Sequence, residues 1–366
     1  MRKPLALLLT ILLAAGVGVA IFYSASEQAV RQVKGVIGSE KDEFFRDPRV
    51  VEALRRKKLR VEAVKAGSRD IATKFNLKEY DFAFPAGIPA AEKIKRENNI
   101  VKSYNVFFTP IAVGSWKRVA EVLEANGIVR RRGESYYIVD MPKLLSLVRE
   151  RKRWNELPKS ASFPVAKGIL ISTTDVRRSN SAAMYLSLAS YIYNNNSVVS
   201  DERQIYPIAD ELSALFARQG FTEYSSEEPF QDYLTQGPGK SPLVLIYEAQ
   251  FLRAKAEANS PVSGDMILLY PEPAVFTKHI LVPVTPAGEQ LGEALANDPD
   301  LKALAVEHGF RNDDRALFNA FVKKHDLAVP DEILNVADLP SYDVIERMIQ
   351  LIDEKNRGGA NVPTVR

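Results

Sequence analysis

The chain contains no cysteine, which removes thiol nucleophiles, zinc–thiolate sites and disulfides from its chemistry at one stroke. Its three histidines are His279 in an apolar run, His308 just before Gly309, and His325 near a loop, and no two have metal-ligand spacing. Gly239, Lys240 and Ser241 look like the end of a phosphate-binding P-loop. That motif fails, because Leu234 stands where its first glycine belongs and Pro242 opens a strand-like run in place of a helix. The basic stretch Arg149, Arg151, Lys152 and Arg153 reads as the solvated end of a helix. Three polar clusters are more informative, each following a short apolar run: Gly38, Ser39, Glu40 and Lys41; Gly67, Ser68 and Arg69; and Thr173, Thr174, Asp175, Arg177, Ser179, Asn180 and Ser181. Free backbone N–H groups and the partial positive charge of a helix start suit an anionic group, and neighbouring hydroxyls donate hydrogen bonds to it. Any one cluster by itself reads more readily as a set of helix caps. Three at equivalent positions are harder to attribute to capping alone, and point to a shared ligand surface.

The elements that must position these clusters alternate between β-branched runs and amphipathic stretches. Strands are expected at Val33 to Ile37, Val61 to Val64, Tyr80 to Phe84, Tyr104 to Val113, Lys167 to Ser172, Leu243 to Tyr247, Met266 to Tyr270 and His279 to Val284. Between them, Ala182, Tyr185, Leu186, Ala189, Ile192 and Tyr193 recur at helical spacing, as do Ile205, Ile208, Leu212, Leu215 and Phe216 before Gly220. Trp116 to Asn126 forms another helix, and Asp140 with Pro142 opens one through Leu144 and Val148. The class is α/β, with a mainly parallel sheet covered by helices. At 366 residues, 46% apolar and 26% charged, the chain is an ordinary folded protein with room for two domains. Its formal net charge of +3 is too small to build a nucleic-acid groove, so no nucleic-acid partner is expected.

Arg2 and Lys3 precede an uncharged run from Leu5 to Phe22 that is apolar all round its helical axis. A bilayer span needs about 20 such residues, and Tyr23 to Ser26 make a poor cleavage site. An uncleaved anchor over residues 1–25 is therefore expected in preference to a removed signal peptide, with the chain from about Ser24 onward outside the cytoplasm.

The order of segments resembles the type II periplasmic solute-binding proteins, in particular the molybdate- and sulfate-binding branch of bacterial importers. VIGSEKDEFF resembles that family's first strand and ligand loop, AGSRDIATKF its second strand, loop and helix, and YDFAFPAGIPAAEKI its third strand. FFTPIAVGSW resembles the strand that crosses to the second domain, GILISTTDVRRSNSAAMYL the strand, loop and helix at that domain's heart, LVLIYEAQF the returning strand, and VEHGF the closing helix. The likeness covers residues 33 to 312.

This resemblance implies a two-lobed fold with crossing strands near Thr109 to Gly114 and Leu243 to Gln250. Lobe I would comprise residues 30–112 and 247–355, lobe II residues 113–246, and residues 356–366 a loose tail. It places ligand contacts at Ser39, Ser68 and Tyr247, with helix-start groups at Thr174, Asn180 and Ser181. Arg69 and Arg177 would favour a carboxylate or oxyanion, whereas Glu40 and Glu248 would repel one unless they pair with the arginines or read a cationic group. A zwitterion would use both signs; equally, Glu248 would bond the hinge backbone. The expected function is capture of a small anionic or zwitterionic ligand by a membrane-tethered or secreted monomer that serves an importer permease or another membrane protein. The alternative is a ligand-less scaffold or interaction subunit of an envelope complex. No cofactor and no enzymatic activity are expected, since a hydrolase would need a base beside Ser39 or Ser68 and no histidine is placed for it.

Overall fold

A computed structural model describes residues 30–133, 136–219 and 226–359. The expected anchor lies outside them, and among the described residues no helix is long and apolar enough to cross a membrane. Among the described residues, nine strands build one mixed sheet: β1 (Arg31–Ile37), β2 (Leu59–Lys65), β3 (Phe82–Phe84), β4 (Tyr104–Trp116), β5 (Val129–Arg132), β6 (Tyr136–Asp140), β7 (Val244–Tyr247), β8 (Met266–Glu272) and β9 (Phe276–Pro283). They lie in the order β2-β1-β3-β9-β4-β8-β6-β5, with β7 also on β4. The sheet is less parallel than the sequence pattern implied. β1 runs parallel to β2 and β3, and β6 to β8, but β4, β7, β8 and β9 pair antiparallel because the chain crosses between two halves and comes back.

β4 is the outward crossing. Its first half pairs with β9 from Tyr104 opposite Leu281 to Pro110 opposite Phe276, and its second half pairs with β7 and β8 through Trp116. The return crossing runs from β8 into β9, at residues 272–276, and not through Leu243 to Gln250 as expected. β7 stops at Tyr247 because Gln250 turns back to accept from the Tyr247 backbone N–H at 3.1 Å, and the helix Glu248–Ala256 begins there.

Each half has its own core. Val33, Ile37, Phe44, Phe84, Phe107 and Leu281 pack in the first, where the Phe107 ring stacks on Phe310 at 4.1 Å. Truncating a ring of this kind to alanine costs about 3–5 kcal/mol. Val113, Leu123, Leu144, Leu186 and Leu245 pack in the second. Residues 244–272 remain mainly with the second half, and so do Phe318, Phe321, Ile345, Met348 and Ile352 of the C-terminal helices, so residues 276–312 make the main return to the first, where Ala249 and Tyr342 also pack. The C-terminal helix Tyr342–Gly359 also continues past the start of the expected loose tail; residues 360–366 lie outside the described residues.

The helix Asn180–Tyr193 is buried on every side from Asn180 to Ser190, and its alanines and serines let neighbouring backbones approach. The expected Ile205–Phe216 helix is broken into Glu202–Ile205, a 3₁₀ turn Tyr206–Ile208 and Ala209–Ala217, since Pro207 has no N–H to continue the ladder. It ends before Gly220, which lies outside the described residues. The sequence reading did not foresee β5 and β6, a hairpin hidden by the charges of Arg130 to Arg132, and the strand expected at Lys167 to Ser172 is replaced by isolated bridges at Gly168 and Ser172.

Candidate ligand cleft

The parallel strands of the first half all end at the boundary with the second half, and their loops carry the polar clusters there. Beyond β1, the 3₁₀ turn Ser39–Lys41 leads into the helix Asp42–Arg46. Beyond β2, Gly67 precedes the helix Ser68–Thr73; Ser68 is buried, and its Oγ accepts from the Ala86 N–H at 2.8 Å, tying this loop to the one beyond β3.

From the second half, Ser179 and Asn180 at the start of the long buried helix face these loops, and Tyr247 at the end of β7 completes the floor. Asn180 Nδ2 donates to the Tyr247 hydroxyl at 3.2 Å. Two glycines permit the approach. A Cβ on Gly67 would lie 2.4 Å from the Arg178 carbonyl oxygen, and one on Gly87, whose φ is +92°, would lie 2.7 Å from Asn180 Oδ1.

Between the halves lie two adjoining cavities of about 410 and 220 Å³. Ser39, Glu40, Lys65, Glu227 and Tyr247 border both; Ser68, Asn180 and Glu228 line the larger, and Glu43, Arg253 and His308 the smaller. Of the residues singled out in the sequence, Ser39, Glu40, Ser68, Asn180 and Tyr247 thus meet at one place.

The other five do not. Thr174 and Ser181 are buried behind the wall, joined by a 3.0 Å hydroxyl–hydroxyl hydrogen bond, and Ser179 Oγ lies 2.9 Å from Ser181 Oγ. Arg69 turns away, donating to the Val176 carbonyl at 2.6 Å and pairing with Glu346. Arg177 is half exposed and folds back on Asp175, with Nε 2.9 Å from Oδ1. Glu248 is fully buried, gripped by Arg311 through two 2.7 Å bonds and accepting a third from the Tyr270 hydroxyl. It bonds side chains, so both earlier readings, ligand contact and hinge-backbone acceptor, are replaced by a structural ion pair.

Glu40 has partners that the sequence did not reveal. Its carboxylate pairs with Lys41, and the Nδ1 of His279, brought in by β9, lies 3.3 Å from Glu40 and 3.1 Å from Lys41 Nζ. Lys41 and His279 are fully buried, and the Glu40 side chain, at the cavity edge, is nearly so. Burial pushes the Glu40 carboxyl up, but the Lys41 charge and the His279 contact outweigh it and hold the group well below the usual carboxylate range. His279 is pulled down to about 4, by burial first and then by Lys41, with Glu40 opposing, so the imidazole is neutral near pH 7. The Tyr247 hydroxyl is pushed up by burial, and by the Glu40 charge after it, and stays protonated.

Several site residues escaped the sequence reading: Lys65, Ser226, Glu227 and Glu228 on the wall, and the Lys41–His279 pair behind it. A histidine within an otherwise apolar strand was the available signal for His279. The expectation that no histidine stands near Ser39 is also corrected, because His308 borders the same cavity with its Nε2 3.0 Å from Asp47 Oδ2. Among the described residues, the two lysine and arginine side chains on the wall already have carboxylate partners: Lys65 lies 3.1 Å from Asp42, and Arg253 pairs with Glu43. Among the described residues no group of three or more histidine, aspartate and glutamate side chains is placed to hold a metal.

No protein-family model and no curated protein matches the sequence. Solved structures match it throughout the fold. The sulfate-binding protein SubI from Mycobacterium tuberculosis H37Rv is 15% identical with a TM-score of 0.51, over 88% of this chain and 98% of that one. The periplasmic binding protein AfuA from Actinobacillus pleuropneumoniae, with fructose-6-phosphate bound, is 11% identical with a TM-score of 0.54, over 89% and 98%. Iron-bound HitA from Pseudomonas aeruginosa is 10% identical with a TM-score of 0.53, over 88% and 98%. The chain therefore has the fold of the type II periplasmic solute-binding proteins.

Proposed function

We propose that this protein is an extracytoplasmic solute-binding protein, which captures a small polar ligand between its halves and closes on it without turning it over. One observation carries the reading. Ser39, Ser68, Asn180 and Tyr247, from four segments distant in sequence, border one continuous space between two separately packed cores. A ligand touching both walls gains its full contact energy only in the closed form, and so shifts the hinge equilibrium.

Within the anionic and zwitterionic classes, the cleft chemistry favours a zwitterion. The start of the Asn180–Tyr193 helix and the hydroxyls of Ser39, Ser68 and Tyr247 suit a carboxylate-like group. Arg69 and Arg177 are engaged elsewhere, and Glu40, Glu227 and Glu228 border the same space, where an ammonium group is welcome and a bare oxyanion is not. The apolar run Leu5 to Phe22 supports tethering of the chain to the membrane, and delivery to an importer permease is the simplest use of a captured solute.

Native mass spectrometry of the protein isolated from its own cells, followed by a thermal-shift screen of amino acids, other zwitterions and oxyanions, tests the reading. A compound that raises the melting temperature of the parent protein and not of Asn180→Ala supports capture. If nothing small stabilises the protein while a protein partner co-purifies stoichiometrically, the scaffold reading replaces it.

A further inference from the structure

The helix Tyr342–Gly359 belongs to neither half alone. Ile345, Met348, Ile349 and Ile352 are packed into the second core, whereas Tyr342 packs with Ile94 and Val282 of the first half. Its opening turns grip the first half: Asp343 lies 2.9 Å from Arg96, Glu346 pairs with Arg69, and the Lys93 ammonium sits 5.0 Å from the centre of the Tyr342 ring. Its later side chains grip the second half, where Arg347 pairs with Glu202 and Lys355 with Asp210. Arg69 makes one more contact, the 2.6 Å bond to the Val176 carbonyl that passes directly from one half to the other. It is also the residue immediately after Ser68, on the ligand loop.

We propose that this helix and Arg69 form a latch that holds the two halves together before any ligand arrives, with Arg69 as the positioning residue that ties the latch to the ligand loop. The apolar face of the helix is anchored in the second core, so the helix moves with that half. Opening the cleft must therefore break the contacts of Tyr342, Asp343 and Glu346 with the first half, together with the Arg69–Val176 bond. The Arg96–Asp343 pair is well exposed and contributes little, being screened by salt. The Arg69–Glu346 pair is largely shielded, with side-chain exposures of 13% and 26%, and dominates the latch. A protein held mostly closed has less conformational rearrangement left for the ligand to drive, so its apparent affinity rises with the closed fraction.

The absence of native cysteine allows a clean test. Lys78→Cys in the first half and Glu124→Cys in the second, both at exposed positions, carry spin labels for pulsed distance measurements without ligand, supported by small-angle scattering of the unlabelled chain. The parent background should give one compact population. Arg69→Ala and the nearly isosteric Glu346→Gln should each add a longer-distance population and raise the radius of gyration, with the open-to-closed ratio changed by about tenfold. Arg69→Lys should restore part of the closed population, since it keeps the charge and loses the forked geometry. Distributions identical in the parent and Glu346→Gln, with both proteins folded by circular dichroism, overturn the latch. The consequence for affinity rests on the capture reading, but the distances do not. A protein that binds no solute yet opens in Glu346→Gln keeps the latch and loses the capture function, and one that binds solute without a change in distances does the reverse.

Discussion

Replacing Gly67 by alanine separates closure from stability. Its backbone, at φ −65° and ψ 143°, is extended and open to any residue, so the substitution introduces no local strain. By narrowing the unfolded ensemble it should even stabilise the first half by about 0.4–1 kcal/mol. The added methyl, however, lies 2.4 Å from the Arg178 carbonyl oxygen of the opposite half. Reaching an ordinary C···O separation of roughly 3.3–3.6 Å requires the facing backbones to part by about 1 Å. A shift of that size stretches the contacts of Ser68 and Asn180 with anything held between them. Overpacking of this kind costs about 1–3 kcal/mol, which corresponds to a loss of roughly 5- to 150-fold in affinity for a ligand that needs the closed form. Calorimetric titration of the parent and Gly67→Ala, using the compound found by thermal shift, reads the affinity, and urea unfolding without ligand reads the stability. Weakened binding with unchanged or slightly raised stability is the expected pair of results. Equal affinities, or a loss of stability that parallels the loss of binding, would refute the claim that this glycine exists to let the halves meet.

Arg311→Ala should lower unfolding stability by about 3–5 kcal/mol in urea titrations, because it leaves Glu248 charged and fully buried with Tyr270 as its remaining partner; a loss under 1 kcal/mol would remove the structural role assigned to the pair. His279 is held at about 4 against an ordinary value near 6.5, so the unfolded chain binds its proton more readily. That contribution is complete above pH 6.5 and is lost as pH falls toward 4, roughly 3 kcal/mol in all. The depressed Glu40 carboxyl acts in the same direction at lower pH. His279→Asn, which retains an acceptor for Lys41, should flatten the stability profile between pH 6.5 and 4, and a slope equal to that of the parent would count against the buried neutral imidazole. Because His308 and Ser39 share a cavity wall, generic esters provide a direct check on enzymatic activity: no turnover is expected, and turnover abolished in both Ser39→Ala and His308→Ala would make this protein a hydrolase.

Local pattern was enough to locate most strands and the loops after them. A strand buried on both faces must be short and apolar, and the polar residues just beyond it have few other places to go, so Ser39, Ser68 and Asn180 could be picked out in sequence, Tyr247 entered through the family resemblance, and all four border one space. Residue type alone could not say where long charged side chains point. Arg69 and Arg177 looked like anion ligands until Glu346, far along the chain, and the adjacent Asp175 supplied nearer partners. Glu248 looked exposed to the cleft until Arg311 and Tyr270 closed over it.

The amino-acid order thus determined the α/β alternation and the polar loops that follow the strands, since each depends on neighbours within a few residues. Tertiary structure decided which half each C-terminal element joins, which charges remain to line the cleft, and the burial of Lys41 with His279. Those outcomes depend on pairings across tens to hundreds of residues, where competition among many possible partners is resolved only when the cores pack.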